Sequence, residues 1–106
     1  MSTLRRLEPI PVPDEVHQFA EKQNLTVLLP TVMDTARRVF PEYELSFSLE
    51  DDHIFKDKRY IRLTVHGVRL NDDLSRHVAE DWQYALIDAI GRHDAAHIRL
   101  KLEHAA

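Results

Sequence analysis

A chain of 106 residues with 14 basic and 18 acidic side chains, a net charge of −4 and no cysteine has room for one domain built on one hydrophobic core. The missing cysteine excludes disulfides, thiolate catalysis and Cys-ligated zinc, and two glycines leave no glycine-rich phosphate loop or dinucleotide fingerprint. The acidic balance makes nucleic acid an unfavoured partner, because sequence-independent binding draws its affinity from Lys and Arg on phosphates.

No apolar run approaches the ~20 residues of a membrane-spanning helix. No apolar segment of the secretory kind follows the charged residues 1–6. The default expectation is a cytoplasmic location with no membrane partner.

Residues 1–12 are expected to form an extended arm. Pro9, Pro11 and Pro13 stand at alternate positions, fix φ and forbid helix. Leu4, Leu7 and Ile10 are the contacts expected to lay the arm on the body, and a proline-rich ligand for an aromatic groove is the alternative. The rest of the chain, 13–106, reads as one α+β domain.

A first helix is predicted over 13–23, with proline at its first position and Asp14 and Glu15 complementing its dipole. Val16, Phe19, Ala20 and Gln23 give it a narrow apolar stripe. Asn24 takes the left-handed position that ends it, and Leu25 folds back onto Phe19 or Ala20. A second helix begins at Thr26 or at Pro30 and ends at Phe40, before Pro41, with Leu29, Val32, Met33, Ala36, Val39 and Phe40 as its stripe. A tight turn centred on Asn24 joins the two.

Residues 43–65 organise the fold. Tyr43, Leu45, Phe47 and Leu49 alternate with Glu44, Ser46, Ser48 and Glu50, and Ile61, Leu63 and Val65 alternate with Tyr60, Arg62, Thr64 and His66. A period of two with one apolar face predicts a half-buried antiparallel hairpin. Its tip, 50–59, is longer than an ideal turn, so one of Ile54 and Phe55 is expected to fold back and be buried. Val65 and Val68 break the alternation with Gly67 between them, which predicts a bulge or a strand end.

A third helix is predicted, with Asn71 as its cap and Leu74, Val78, Trp82, Ala85, Leu86, Ala89 and Ile90 at period 3.6 until Gly91. Ile98, Leu100 and Leu102 then alternate with Arg99, Lys101 and Glu103 as a third strand. The order α-α-β-β-α-β predicts a two-layer sandwich in which a small, mainly antiparallel three-stranded sheet carries three helices on one face. The long helix before the last strand leaves its direction, parallel or antiparallel, open.

Several clusters bear on chemistry. His93, Asp94 and His97 have the i, i+4 histidine spacing of a zinc site, but Asp replaces the longer Glu of the zinc-protease pattern and Gly91 interrupts the helix. Asp73, His77 and Asp81 share a helix face, where ion pairing explains them more simply than general-base catalysis. Glu50, Asp51, Asp52 and His53 offer hard ligands without the spacing of a calcium loop. These patterns lead to no metal, no cofactor and no catalytic residue.

The outward sheet face is the best candidate. Arg62, Thr64, His66, Arg99 and Lys101 present cations beside short hydroxyls, and Asp51, Asp52 and His53 add an acidic tip. The expected function is a non-enzymatic, cytoplasmic protein–protein interaction module that binds through the polar face, the acidic tip or both, with another protein or a second copy in a homodimer as partner. An acid/base or metal enzyme on His93, Asp94 and His97, and single-stranded nucleic-acid binding on the sheet, are the alternatives.

Overall fold

The computed structural model describes residues 10–55, 58–69 and 78–104. Its elements run α1 (Asp14–Lys22), a 3₁₀ turn (Thr26–Leu28), α2 (Leu29–Val39), β1 (Glu44–Asp51), β2 (Arg59–Val68), α3 (Val78–Ile90), the single turn α4 (Arg92–Ala95) and β3 (Ile98–His104). Asn71, Asp73, Leu74 and His77 lie outside the described residues, as do Leu4 and Leu7 of the arm, whereas Ile10 is buried in the core.

Local chemistry sets the helix ends. Pro13 caps α1 in the extended conformation rather than opening it, and its carbonyl accepts from the Val16 and His17 amides at 3.0 and 3.2 Å. At the other end Asn24 adopts φ 59°. The Leu25 amide reaches back to the Ala20 carbonyl at 2.7 Å and the Asn24 amide to Glu21 at 3.3 Å, the paired bonds of a Schellman turn. This turn drives Leu25 into the core, where it is buried. The ambiguous start of the second helix resolves into both alternatives: Thr26 opens a 3₁₀ turn, and Pro30 sits in the first turn of α2.

The sheet is mixed, in the order β1-β2-β3. β1 and β2 are antiparallel, with Ser46 opposite Thr64 and Phe47 opposite Leu63. β3 runs parallel to β2, with Leu63 beside Leu100. The central strand thus has one neighbour of each kind, where a mainly antiparallel sheet was expected, because α3 carries the chain back to the start of the sheet as a parallel crossover does. The predicted irregularity is present: the β2–β3 register shifts between His66 and Val68, Gly67 adopts φ 77°, and Val68 is returned to the core beside Val65.

Three cross-strand rows make the apolar face: Leu45–Val65–Leu102, Phe47–Leu63–Leu100 and Leu49–Ile61–Ile98. Against it pack Val16 and Ala20 of α1, Leu29, Val32 and Ala36 of α2, and Val78, Trp82 and Leu86 of α3. The Phe40 and Trp82 rings meet with centroids 6.1 Å apart, joining the end of α2 to α3. No helix among the described residues is long and apolar enough to cross a membrane.

Candidate interaction surface

The register that builds the core also sorts the polar side chains into rows on the opposite face. Glu44, His66 and Glu103 form one row, then Ser46, Thr64 and Lys101, then Ser48, Arg62 and Arg99, and finally Glu50 beside Tyr60. Long side chains on this face shield the central strand, so Thr64 and Tyr60 are each only 7 % exposed.

One end of the face is tied across all three strands. Ser46 Oγ lies 2.7 Å from His66 Nε2, and His66 Nδ1 lies 3.0 Å from Glu103 Oε1. An ionised carboxylate only accepts, so Nδ1 carries the proton shared with Glu103 and, in the neutral ring, Nε2 accepts from the Ser46 hydroxyl. Hydrogen bonding from His66, helped by the charge of Lys101, holds the Glu103 carboxyl below its ordinary pKa.

The other end is organised by Asp52. Its Oδ1 accepts from the backbone amides of Ile54 and Phe55 at 2.8 and 3.1 Å, an Asx turn at the start of the hairpin loop. Its Oδ2 accepts from Arg99 of β3 at 2.8 Å. The two backbone donors, and then Arg99, lower the Asp52 pKa from 3.8 to about 2. The Asp52 amide also donates to the Lys58 carbonyl, and the Lys58 amide to the Phe55 carbonyl, both at 2.9 Å.

This loop does not bury an apolar side chain as its sequence suggested. Ile54 is 81 % and Phe55 57 % exposed. Asp52 satisfies the Ile54 and Phe55 amides within the loop and leaves the two side chains outside.

The candidate residues fall into a pattern that the sequence did not reveal. Arg99 stacks over the Tyr60 ring, 4.2 Å from its centroid, while Arg62 donates to the Tyr60 hydroxyl at 3.2 Å and faces Glu50 at 3.6 Å. Asp51 pairs with Arg59 at 3.0 Å. Glu50, Asp51 and Asp52 therefore each meet an arginine, and where an acidic tip was expected these carboxylates form a charge-paired base beneath the exposed Ile54 and Phe55. Through Arg99 and Asp52, the sheet face and the tip are one surface. His53 and Lys101 are exposed on it. Beside its tip end lies a cleft of about 650 Å³ between α1, the base of the hairpin and the start of β3.

The remaining histidine pair has geometry but few partners. α4 is helical across Arg92–Ala95, so the turn after Gly91 keeps His93 and His97 close, with ring centroids 5.9 Å apart and edge to face. His97 also meets the edge of Phe19. Among the described residues no three His, Asp or Glu side chains converge as metal ligands would.

Ser46 on the outward face, and Tyr60 and Glu103 flanking it, follow from the strand alternation, but their pairing with His66, Arg62 and Arg99 does not. Asp52 two residues before Ile54 was a legible Asx-turn signal; the pairing of Glu103 with His66 was not, since it needs the parallel register of β3. Comparison of the chain with protein-family models, with curated proteins and with solved structures returns no match.

Proposed function

We propose that the protein is a non-enzymatic, cytoplasmic interaction module that binds another protein, with the hairpin tip as anchor and the polar sheet face as rim. The observation that carries this reading is the tip: Ile54 and Phe55 are adjacent, large and exposed, on a loop held by four hydrogen bonds and anchored to β3. A lone exposed hydrophobe needs no explanation, but two on a preorganised loop have the character of a binding hot spot, because little ordering entropy opposes their burial by a partner. The surrounding ion pairs are the solvent-accessible rim that such anchors carry.

Single-stranded nucleic acid fits this surface less well. Tyr60, the aromatic of the sheet face, is buried beneath Arg99 and offers no open ring for base stacking. The test of the interaction reading is to replace His53, exposed between Asp52 and the two anchors, with a photo-crosslinking amino acid and irradiate living cells of the source organism. The reading expects one dominant adduct, either with a different protein or with a second copy of this chain. A diffuse ladder of adducts, unchanged when Ile54 and Phe55 are both replaced by Asp, contradicts it.

The Ser46–His66–Glu103 chain supports a second reading, acyl transfer, because a hydroxyl, an imidazole and a carboxylate follow one another in the order nucleophile, base and orienting group. It stands second because the site is shallow. Glu103 is half exposed, and Tyr60, which lines the cleft, lies six residues from His66 along β2, roughly 20 Å away. Labelling of Ser46 by a fluorophosphonate, lost in His66→Ala, would establish acyl transfer; an unlabelled protein removes it.

A further inference from the structure

The cleft beside the tip has a composition at odds with the chain around it. In a protein of net charge −4, its walls bring together Lys22 from α1, Lys58 and Arg59 from the base of the hairpin, and Arg99 from β3. Among the described residues two carboxylates join them, Glu15 and Asp52, and Asp52 is already committed to three donors.

The cations differ in what holds them. Arg99 is fixed between Tyr60 and Asp52. Arg59 is paired with Asp51 where both side chains are more than half exposed, an arrangement that contributes little and exchanges easily. Lys58 rests over the Phe55 ring at 5.2 Å, and Lys22 has no ion-pair partner among the described residues. Positive potential is therefore available in a concave site, where the low-dielectric walls concentrate it.

The same cleft is lined by flat and apolar groups. Phe19 and His97 stand edge to face with centroids 6.2 Å apart, and both line it together with Leu49 and Tyr60. A volume of about 650 Å³ lies within the ordinary range for small-molecule sites, roughly 300–1,000 Å³.

We infer that this cleft binds a small organic anion, a flat ring carrying a phosphate, sulfonate or carboxylate group. The ring packs against Phe19 and His97, and the anionic group is held by Lys22, Lys58 and Arg59. The inference rests on the cleft alone and stands or falls separately from protein binding at Ile54 and Phe55.

The test is an amide-resolved NMR titration of the full chain with two unrelated probes, adenosine 5′-monophosphate and naphthalene-2-sulfonate, with adenosine and inorganic phosphate as half-ligands. Both ring-bearing anions should give saturable shifts centred on Phe19, Lys22, Tyr60 and His97, with Kd in or below the millimolar range. Each half-ligand should bind at least about tenfold more weakly, because it engages only one of the two kinds of wall. Lys22→Glu combined with Lys58→Glu should weaken both probes about tenfold or more, whereas Lys101→Glu, on the sheet face away from the cleft, should leave them unchanged. The inference is overturned if neither probe saturates at about 5 mM, if the shifts centre elsewhere, or if the charge-reversed protein, its spectrum still that of a folded chain, binds as well as the original.

Discussion

The two ends of the polar sheet face use the same ingredients to opposite effect. At each end a carboxylate reaches across strands: Glu103 to His66 at one, Asp52 to Arg99 at the other. Glu103 is half exposed and accepts one bond from a side chain whose ring is shared with Ser46. The Asp52 side chain is 11 % exposed and accepts from two backbone amides before it meets its arginine. A carboxylate spent on side chains ties strands that backbone bonds already hold. One spent on backbone amides fixes a loop that otherwise has little to hold it. The function proposed here depends on the second arrangement.

A third region sets the scale for both. Leu63, fully buried at the centre of the apolar rows, should cost about 2–5 kcal/mol when replaced by alanine, the largest effect expected and read as a lowered urea midpoint at unchanged slope. If Leu63→Ala were no more damaging than a substitution on the polar face, the assignment of the two faces would be wrong.

Asp52→Ala should leave the core intact and release the tip. Amide hydrogen exchange at Ile54 and Phe55 should rise roughly tenfold or more as their acceptor is lost, while exchange at Leu63 and Val65 follows global stability. Equal acceleration at all four positions would mean that the tip is not a separately ordered unit.

Acid separates the same regions by titration. The folded pKa of Asp52 is depressed from 3.8 to about 2, so its contribution is complete above pH 3.8 and is lost as pH falls through about 2. The Ile54 and Phe55 amide resonances should therefore hold their positions to below pH 3 and move only near pH 2. A midpoint near 4 would show that the two amides do not bond the carboxylate.

At the opposite end, Ser46→Ala should cost only about 0.5–1.5 kcal/mol, the net worth of one partly exposed hydrogen bond, measured by the same urea transitions. A loss several times larger would make the Ser46–His66–Glu103 chain a principal support of the sheet.

Most of the architecture was legible because it rests on periodicity. The alternations at Leu45–Phe47 and Ile61–Leu63–Val65, the left-handed turn at Asn24 and the slip at Gly67 each follow from local sterics and patterning. The direction of β3 was not legible, since an α3 crossover and a return hairpin bury the same side chains. With it went the rows of the polar face: Arg99 beside Arg62, and Glu103 beside His66, exist only in the parallel register. Ile54 and Phe55 misled for a different reason. Hydrophobic character predicts burial only when burial is compatible with the backbone's hydrogen bonds, and Asp52 satisfies those bonds in a loop that points both side chains outward.

The central claim is tested most directly by quantitative affinity capture from a lysate of the source organism, comparing the native chain with Ile54→Asp/Phe55→Asp and with Tyr84→Asp, an equally exposed apolar position on α3, away from the polar face. Both side chains are exposed, so the double variant should unfold within about 0.5 kcal/mol of the native chain. The account predicts one protein, a different one or the cell's own copy of this chain, recovered in stoichiometric amount by the native chain and by Tyr84→Asp, and lost with the double variant. Recovery of the same protein by the double variant, or of none by the native chain, would contradict it.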